Sequence, residues 1–382
     1  MFSSLEIVFR PQNLPDRNPV PVNLEGHESN LPNILDHFLT YEEIKEFLAR
    51  IAQLFKDKVS MEKLGETALG RDINMAVINP NAAKTVILVA NMHAREWGAT
   101  TSALFIISEL VKNREQYLEF FDIRWMIIPL ANPDGYEYTR EYDRYWSKNR
   151  SPQPGGTFGV DLNANFEHMW GMGKPVDPDD RTYNGPRAFS EEETIAISAV
   201  MEEMALDTIL FIDMHTYGNH IFHAWGHTPD PSPDVANSRN VAFAGADAMR
   251  AKFHEYYTVG APSALFHRVY GTSLDYCQAL AINADEKQID FAEQLESVAY
   301  VLCGDGTVTY DKFCQIWHAK GILDKLYRLI DVDSTNLIST NQIMEFISNL
   351  TNSRAAWIEG TDPVCDENDD HVPWVVRYFE RV

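Results

Sequence analysis

Thr85-Val-Ile-Leu-Val-Ala-Asn-Met-His-Ala-Arg-Glu-Trp97 runs from an uninterrupted apolar segment into a charged turn. After Thr85, the five residues Val86–Ala90 are continuously hydrophobic, the pattern of a short strand buried on both faces. Residues Gly98–Asn113 then follow with helical spacing, so a strand feeds a helix through a turn that holds His93 and Glu96. Three residues apart at a strand-to-helix junction, an imidazole and a carboxylate can face one point.

The same alternation extends outward. Tyr41–Phe55 is apolar at 44, 47, 48, 51, 54 and 55, a helical repeat with Thr40 as its cap. Ile123–Leu130 and Thr208–Asp213 read as strands, and Glu191–Met204 and Asn240–Tyr256 as helices. Strands alternating with helices predict an α/β domain, a mixed and mostly parallel sheet flanked by helices. The carboxyl ends of such strands form a ligand crevice. Phe211-Ile-Asp-Met-His-Thr-Tyr217 places His215 just beyond the third strand, where it can meet His93 and Glu96. Two His and one Glu leave a tetrahedral Zn²⁺ one open position, the arrangement of a catalytic site. Asp161, in Val160-Asp-Leu-Asn-Ala-Asn-Phe166, is placed to accept from the far nitrogen of His93.

Several classes are excluded by charge and composition. The 382 residues carry 32 Lys+Arg against 56 Asp+Glu, a formal net charge of −24. A chain so acidic repels phosphate backbones, so no nucleic-acid or anionic-membrane partner is expected. No stretch has the length of a membrane span. The N-terminus lacks the basic start and apolar run of a leader, so the chain as written reads either as intracellular or as a secreted protein without its leader. Cys277, Cys303, Cys314 and Cys365 show no metal or disulfide spacing and read as buried or free thiols. Of the histidines around 215–227, His220 and His223 point to opposite faces of a strand, so only His215 is assigned a ligand role.

Six ordered segments resemble the zinc carboxypeptidase family that contains carboxypeptidases A and B. They are Gly65–Arg71, His93-Ala-Arg-Glu-Trp97, Asn132-Pro-Asp-Gly-Tyr136, Val160–Asn163, His215-Thr-Tyr217 and Gly271-Thr-Ser-Leu-Asp-Tyr276, spanning roughly residues 40–283. The resemblance implies a peptidase that removes C-terminal residues from peptides or proteins with zinc-activated water. It implies His93, Glu96 and His215 as zinc ligands, and Arg71, Asn163 and Tyr217 as substrate contacts. Leu274 stands where the family selects the removed side chain, which implies an apolar or aromatic leaving residue.

The family's pattern is broken at four places. Ala164 replaces the arginine that clamps the substrate carboxylate, and Ser147 replaces the arginine that serves the oxyanion. His267 stands at the mobile tyrosine. The late Phe-x-Phe-Glu strand with the proton-carrying glutamate does not follow Ile282, and Glu286 and Glu293 are the nearest acids there. Three readings stay open: a peptidase with weak or lost activity, a zinc-binding relative with a regulatory tail, and a join of two coding segments near 284.

The tail has its own pattern. Ile322–Ile330 and Ile343–Leu350 carry matching apolar spacing around the twelve residues Asp331–Gln342. This resembles an EF-hand, implying calcium ligands at Asp331, Asp333 and Thr335, although Asn336 replaces glycine and Gln342 the bidentate glutamate. Gly304–Phe313 resembles the second half of another such loop. The predicted organisation is an extended lead-in over 1–38, the zinc carboxypeptidase-like domain over 39–283, a small α-helical EF-hand-like domain over 284–352, and an acidic tail over 353–382. Residues 284–382 hold 18 Asp+Glu against 8 Lys+Arg, so they carry −10 of the −24.

Overall fold

The computed structural model describes residues 3–9, 34–112 and 122–282, together with the backbone of two short strands at 307–309 and 337–339. The chain divides into two compact units. One comprises Phe2–Met204 and Thr208–Ala279, the other Met1, Ala205–Asp207 and Leu280–Val382.

The first unit is built on one eight-stranded sheet. Its strands are β1 (Ser3–Phe9), β2 (Val59–Glu66), β3 (Asp72–Ile78), β4 (Lys84–Ala90), β5 (Ile123–Ile128), β6 (Thr208–Thr216), β7 (His220–His223) and β8 (Thr258–Gly260). They lie in the order β2-β3-β5-β4-β6-β1-β7-β8. Pairings β4·β5, β4·β6, β1·β6 and β7·β8 are parallel, while β2·β3, β3·β5 and β1·β7 are antiparallel. The predicted mixed α/β sheet is therefore present.

The helices are α1 (Tyr41–Leu54), α2 (Trp97–Lys112), α3 (Pro133–Glu141), α4 (Glu192–Glu203), α5 (Val235–Phe253), α6 (Pro262–Leu265) and α7 (273–282). Helix α1 starts where Thr40 was expected to cap it. Its hydroxyl accepts from the Glu43 amide, and the Glu43 carboxylate accepts from the Thr40 amide. Tyr41, Ile44, Phe47, Leu48 and Ile51 of α1 are buried in one core with Leu88 and Ala90 of β4 and Ala103, Leu104 and Ile107 of α2. Each fully buried Leu or Ile in that layer contributes roughly 1.5–3 kcal/mol.

One sequence expectation is corrected here. Residues 3–9, read as part of an extended lead-in, form a strand in the interior of the sheet, between β6 and β7. The local signal is the alternation Leu5-Glu6-Ile7. Leu5 is buried with Ile221, Ala242 and Ala246, and Ile7 packs against the same group. Glu6 consequently faces the other side of the sheet. The partners that make this strand lie more than two hundred residues downstream, so composition around the N-terminus did not reveal it.

Strands β2 and β3 were also unpredicted. The EF-hand-like positions Asp331, Asp333 and Thr335, and the acids Glu286 and Glu293, lie outside the described residues. Within the tail, β9 (Thr307–Thr309) pairs antiparallel with β10 (Leu337–Ser339), with Val308 opposite Ile338. No helix among the described residues is long and apolar enough to cross a membrane.

Candidate active site

The site forms where β4 and β6, neighbours running parallel, end at the same edge of the sheet. Beyond β4 the chain turns through Asn91, whose φ is +64°, a left-handed conformation that asparagine tolerates. His93 and Glu96 follow before α2 begins. The turn is held from below by the Asn-Pro-Asp-Gly segment. The Asn132 side chain donates to the Met92 carbonyl at 2.9 Å and accepts from the Gly135 amide at 3.0 Å. A side chain at Gly135 would lie 2.5 Å from the Lys148 carbonyl and 2.7 Å from the Ala94 methyl. Glycine is there because the metal turn and the 147–150 segment close on it.

The three predicted ligands converge. His93 Nδ1 lies 3.1 Å from Glu96 Oε1, His215 Nδ1 lies 2.9 Å from Glu96 Oε2, and the two Nδ1 atoms are 3.1 Å apart. A tetrahedral ion with Zn–N bonds of 2.0–2.1 Å sets its ligands roughly 3.3 Å apart, so these atoms fit one. The Thr216 amide donates to Glu96 Oε2 at 3.1 Å and fixes the carboxylate. Glu96 and His215 are buried, whereas the His93 side chain keeps 23% exposure, which leaves the open side of the site at His93.

Behind each imidazole stands a carboxylate. His93 Nε2 lies 3.2 Å from Asp161 Oδ1, as the sequence predicted. His215 Nε2 lies 2.9 Å from Asp213 Oδ2, a partner the sequence reading missed. The signal was present: an acid two residues before His215, on the same face of an otherwise apolar strand. Such partners fix the tautomer that leaves Nδ1 free to ligate. Asp161→Ala is expected to weaken zinc affinity about 10–100-fold, measured by competition with a chelating dye. An unchanged affinity would remove Asp161 from this role.

The charges are strongly coupled. Burial works to lower His93, but Glu96 and Asp161 more than offset it and push it up to about 10. His215 is likewise raised well above its usual range by Asp213 and Glu96, against the effect of burial. Burial opposes ionisation of Glu96, yet the two histidines pull it down to about 2. This pocket favours positive charge, and a divalent ion bound there displaces imidazole protons.

A second cluster adjoins the first. Ligand atoms of Glu6, Asp213 and His215 all lie within 4.8 Å of one another. Glu6 pairs with Asp213 across β1 and β6. Burial pushes Glu6 up to about 7, with Asp213 adding to the rise and His215 opposing it. Glu6 was not a candidate from sequence, because nothing local shows that its strand belongs to this sheet.

The remaining predicted residues divide. Asn163 lies beside the ligands, its Nδ2 3.3 Å from His215 Nε2 and its Oδ1 accepting from the Ser273 amide at 3.0 Å. Arg71 is ion-paired at 2.7 Å with Asp134, a fully buried carboxylate. Tyr217 follows a cis peptide bond and is 80% exposed. Leu274 is fully buried against Phe222, Ala224 and Trp225, so no surface of it meets solvent.

The substituted positions are equally defined. The Ser147 carbonyl accepts from the Ala94 amide at 2.9 Å, which ties this residue to the metal turn. Neither neighbouring cation replaces the lost arginine. The Lys148 ammonium is buried and donates to the Pro178 carbonyl at 2.6 Å. The Arg150 guanidinium lies over Tyr138, Trp146 and Phe158 at 3.7, 4.5 and 4.6 Å from the ring centres. His267 is exposed.

Comparison with known proteins agrees with this geometry. The family profile described as zinc carboxypeptidase matches residues 44–298, two thirds of the chain. Carboxypeptidase O of Homo sapiens is 29% identical over 280 residues, covering 71% of this chain and 73% of that protein. Zinc carboxypeptidase A 1 of Drosophila melanogaster is 34% identical over 242 residues, covering 60% of this chain but 56% of the relative. Inactive metallocarboxypeptidase ecm14 of Talaromyces stipitatus is 30% identical over 246 residues, covering 59% of this chain and 41% of that one. Among solved structures, the carboxypeptidase A from Helicoverpa armigera superposes with a TM-score of 0.61 at 30% identity, covering 64% of this chain and 63% of the other.

Proposed function

Because the chain belongs to the zinc carboxypeptidase family, we propose that it acts on peptide or protein C-termini, hydrolysing the last peptide bond with zinc held by His93, Glu96 and His215. The observation that carries this reading is the convergence of His93 Nδ1, His215 Nδ1 and the Glu96 carboxylate within 3.1 Å, with both far nitrogens anchored on Asp161 and Asp213. Zinc bound there supplies a Lewis acid and lowers the pKa of a bound water. The chain's own residues set the approach. His93 leaves the open side, Asn163 presents its amide beside the ligands, and Tyr217 stands exposed next to the Thr216 amide that holds Glu96.

The rival reading is a zinc-binding relative whose turnover is lost. Ala164 and Ser147 support it, as does the engagement of Lys148 and Arg150 elsewhere. One experiment separates the two. Zinc content and release of a C-terminal Phe, Leu or Arg from blocked peptides are measured for the chain and for His93→Ala. One zinc per chain with release at least ten times that of His93→Ala is expected. Stoichiometric zinc with release equal to His93→Ala would leave only the binding role.

For the tail, we propose a degenerate pair of EF-hand-like loops. The pairing of Val308 with Ile338 supports this, since both stand eighth in twelve-residue frames beginning at 301 and 331. Calcium at Asp331, Asp333 and Thr335 is the corresponding ligand.

A further inference from the structure

Two glutamates enter the interior where helix α4 begins. Glu191 precedes the helix and Glu193 lies in its first turn, and both are buried, at 3% and 1% exposure. One amide serves both. Asn149 Nδ2 donates to Glu191 Oε2 at 2.7 Å and to Glu193 Oε2 at 3.1 Å. Glu191 is supplied further by the Ser151 hydroxyl and by the Ser190 hydroxyl, the latter at 2.6 Å. Glu193 Oε1 is buried with no hydrogen-bond partner.

Among the described residues neither glutamate has an ion-pair partner. The titratable groups facing Glu193 are Glu191 at the same helix start and Asp134 at the start of α3, both carboxylates. Asp134 is held by Arg71 at 2.7 Å, the Tyr183 phenol faces Glu191, and the Lys148 ammonium is turned to the Pro178 carbonyl. Two carboxylates sharing one amide in a desolvated site do not both ionise, so one retains its proton. Glu191 has the donors that stabilise a negative charge. Glu193 has the orphaned oxygen and is the group that stays neutral. Burial pushes Glu193 up to about 8, its own amide and Asn149 opposing, with Glu191 and Asp134 adding to the rise.

The segment that these glutamates hold is tied to the metal turn. Asn149 Oδ1 accepts from the Val160 amide at 2.8 Å, and the Asn149 amide donates to the Val160 carbonyl at 3.1 Å. Two residues earlier, the Ser147 carbonyl takes the Ala94 amide at 2.9 Å. We propose that Glu193 is a proton-held latch: neutral, it keeps the 147–160 segment closed on α4, and opening of that segment, coupled to loss of the proton, loosens the Ala94 contact as pH rises. This goes beyond the peptidase reading and needs no turnover. Opening returns Glu193 to water, where it ionises at its ordinary value of 4.5, so each opening event releases one proton. The closed form is therefore favoured at low pH and loses its advantage as pH rises from there towards about 8. Above that value the closed form is ionised as well, and the dependence flattens.

Hydrogen exchange of the zinc-loaded full chain at about pH 6 and about pH 8 tests this. Peptides covering 147–160 and Ala94 are followed, corrected for the intrinsic pH dependence of amide exchange. Their opening constant is expected to rise at least about ten-fold in the unaltered chain and to stay level in Glu193→Gln, a neutral near-isostere. Glu191→Gln removes the neighbouring charge and is expected to shrink the rise. An infrared difference between the unaltered chain and Glu193→Gln at neutral pH is expected to show the carbonyl stretch of one protonated carboxyl, present only in the unaltered chain. No rise in the unaltered chain, an equal rise in folded Glu193→Gln, or no such carbonyl stretch would overturn the proposal. Should Glu193→Gln fail to fold, an undiminished rise in Glu191→Gln overturns it instead.

Discussion

Deletion of residues 1–9 is expected to abolish cooperative unfolding of the zinc-binding unit and its stoichiometric zinc uptake. Strand β1 is interior to the sheet. All seven of its residues pair with β6, and residues 5–8 also pair with β7. Without it, β6 loses its neighbour on one side and β7 and β8 lose their connection to the rest of the sheet. Each broken backbone hydrogen bond costs about 0.5–1.5 kcal/mol net, and exposing the Leu5 side chain costs about 1.5–3 kcal/mol more. Summed over both ladders, the loss approaches the roughly 5–15 kcal/mol by which ordinary domains are stable. Metal binding falls with it, because His215 lies on β6, opposite Val8 of the deleted strand. Circular dichroism melting and zinc content of the truncated chain check this. A graded probe accompanies it: Leu5→Ala should destabilise by about 2–4 kcal/mol in urea titration. A truncated chain that melts like the full one would show that β1 is dispensable.

Legibility in the sequence followed the range of the interactions. His93 and Glu96 are set by one turn, and His215 by the end of one strand, so short segments revealed all three. Asp161 could be named because it lies in a recognisable segment. Asp213 belongs to the same nine-residue strand as His215 and was overlooked because β6 read as a run of core residues. Glu6 lay further from reach, since its role depends on a pairing between residues 3–9 and 210–216. The sheet class was legible from alternation, but the place of β1 in it was not. Side-chain selection needs the same longer-range information. Leu274 has the right chemistry at a matched position, yet the packing of Phe222 and Trp225 around it decides whether a ligand meets it.

Replacing Ser147 and Ala164 by arginine is expected to raise the proposed peptidase activity strongly. Ser147 is joined to the metal turn through its carbonyl and the Ala94 amide, one residue from the ligand His93. A guanidinium begun there can reach a carbonyl oxygen at the open side of the site, where charge develops in the transition state. One oxyanion donor is worth about 10²–10³ in kcat. Ala164 is partly exposed and ends the short turn 162–164, whose Asn163 touches both His215 and the Ser273 amide. An arginine at 164 is placed to bind the substrate's terminal carboxylate, an interaction present before and during reaction. The two effects therefore separate kinetically. Ser147→Arg should raise kcat about 10²–10³-fold with KM little changed, and Ala164→Arg should lower KM with kcat little changed. Single-turnover kinetics on a blocked dipeptide, with equal zinc content verified in each variant, distinguishes them. If both variants fold, hold zinc and remain at the rate of His93→Ala, the missing arginines are not what limits the site.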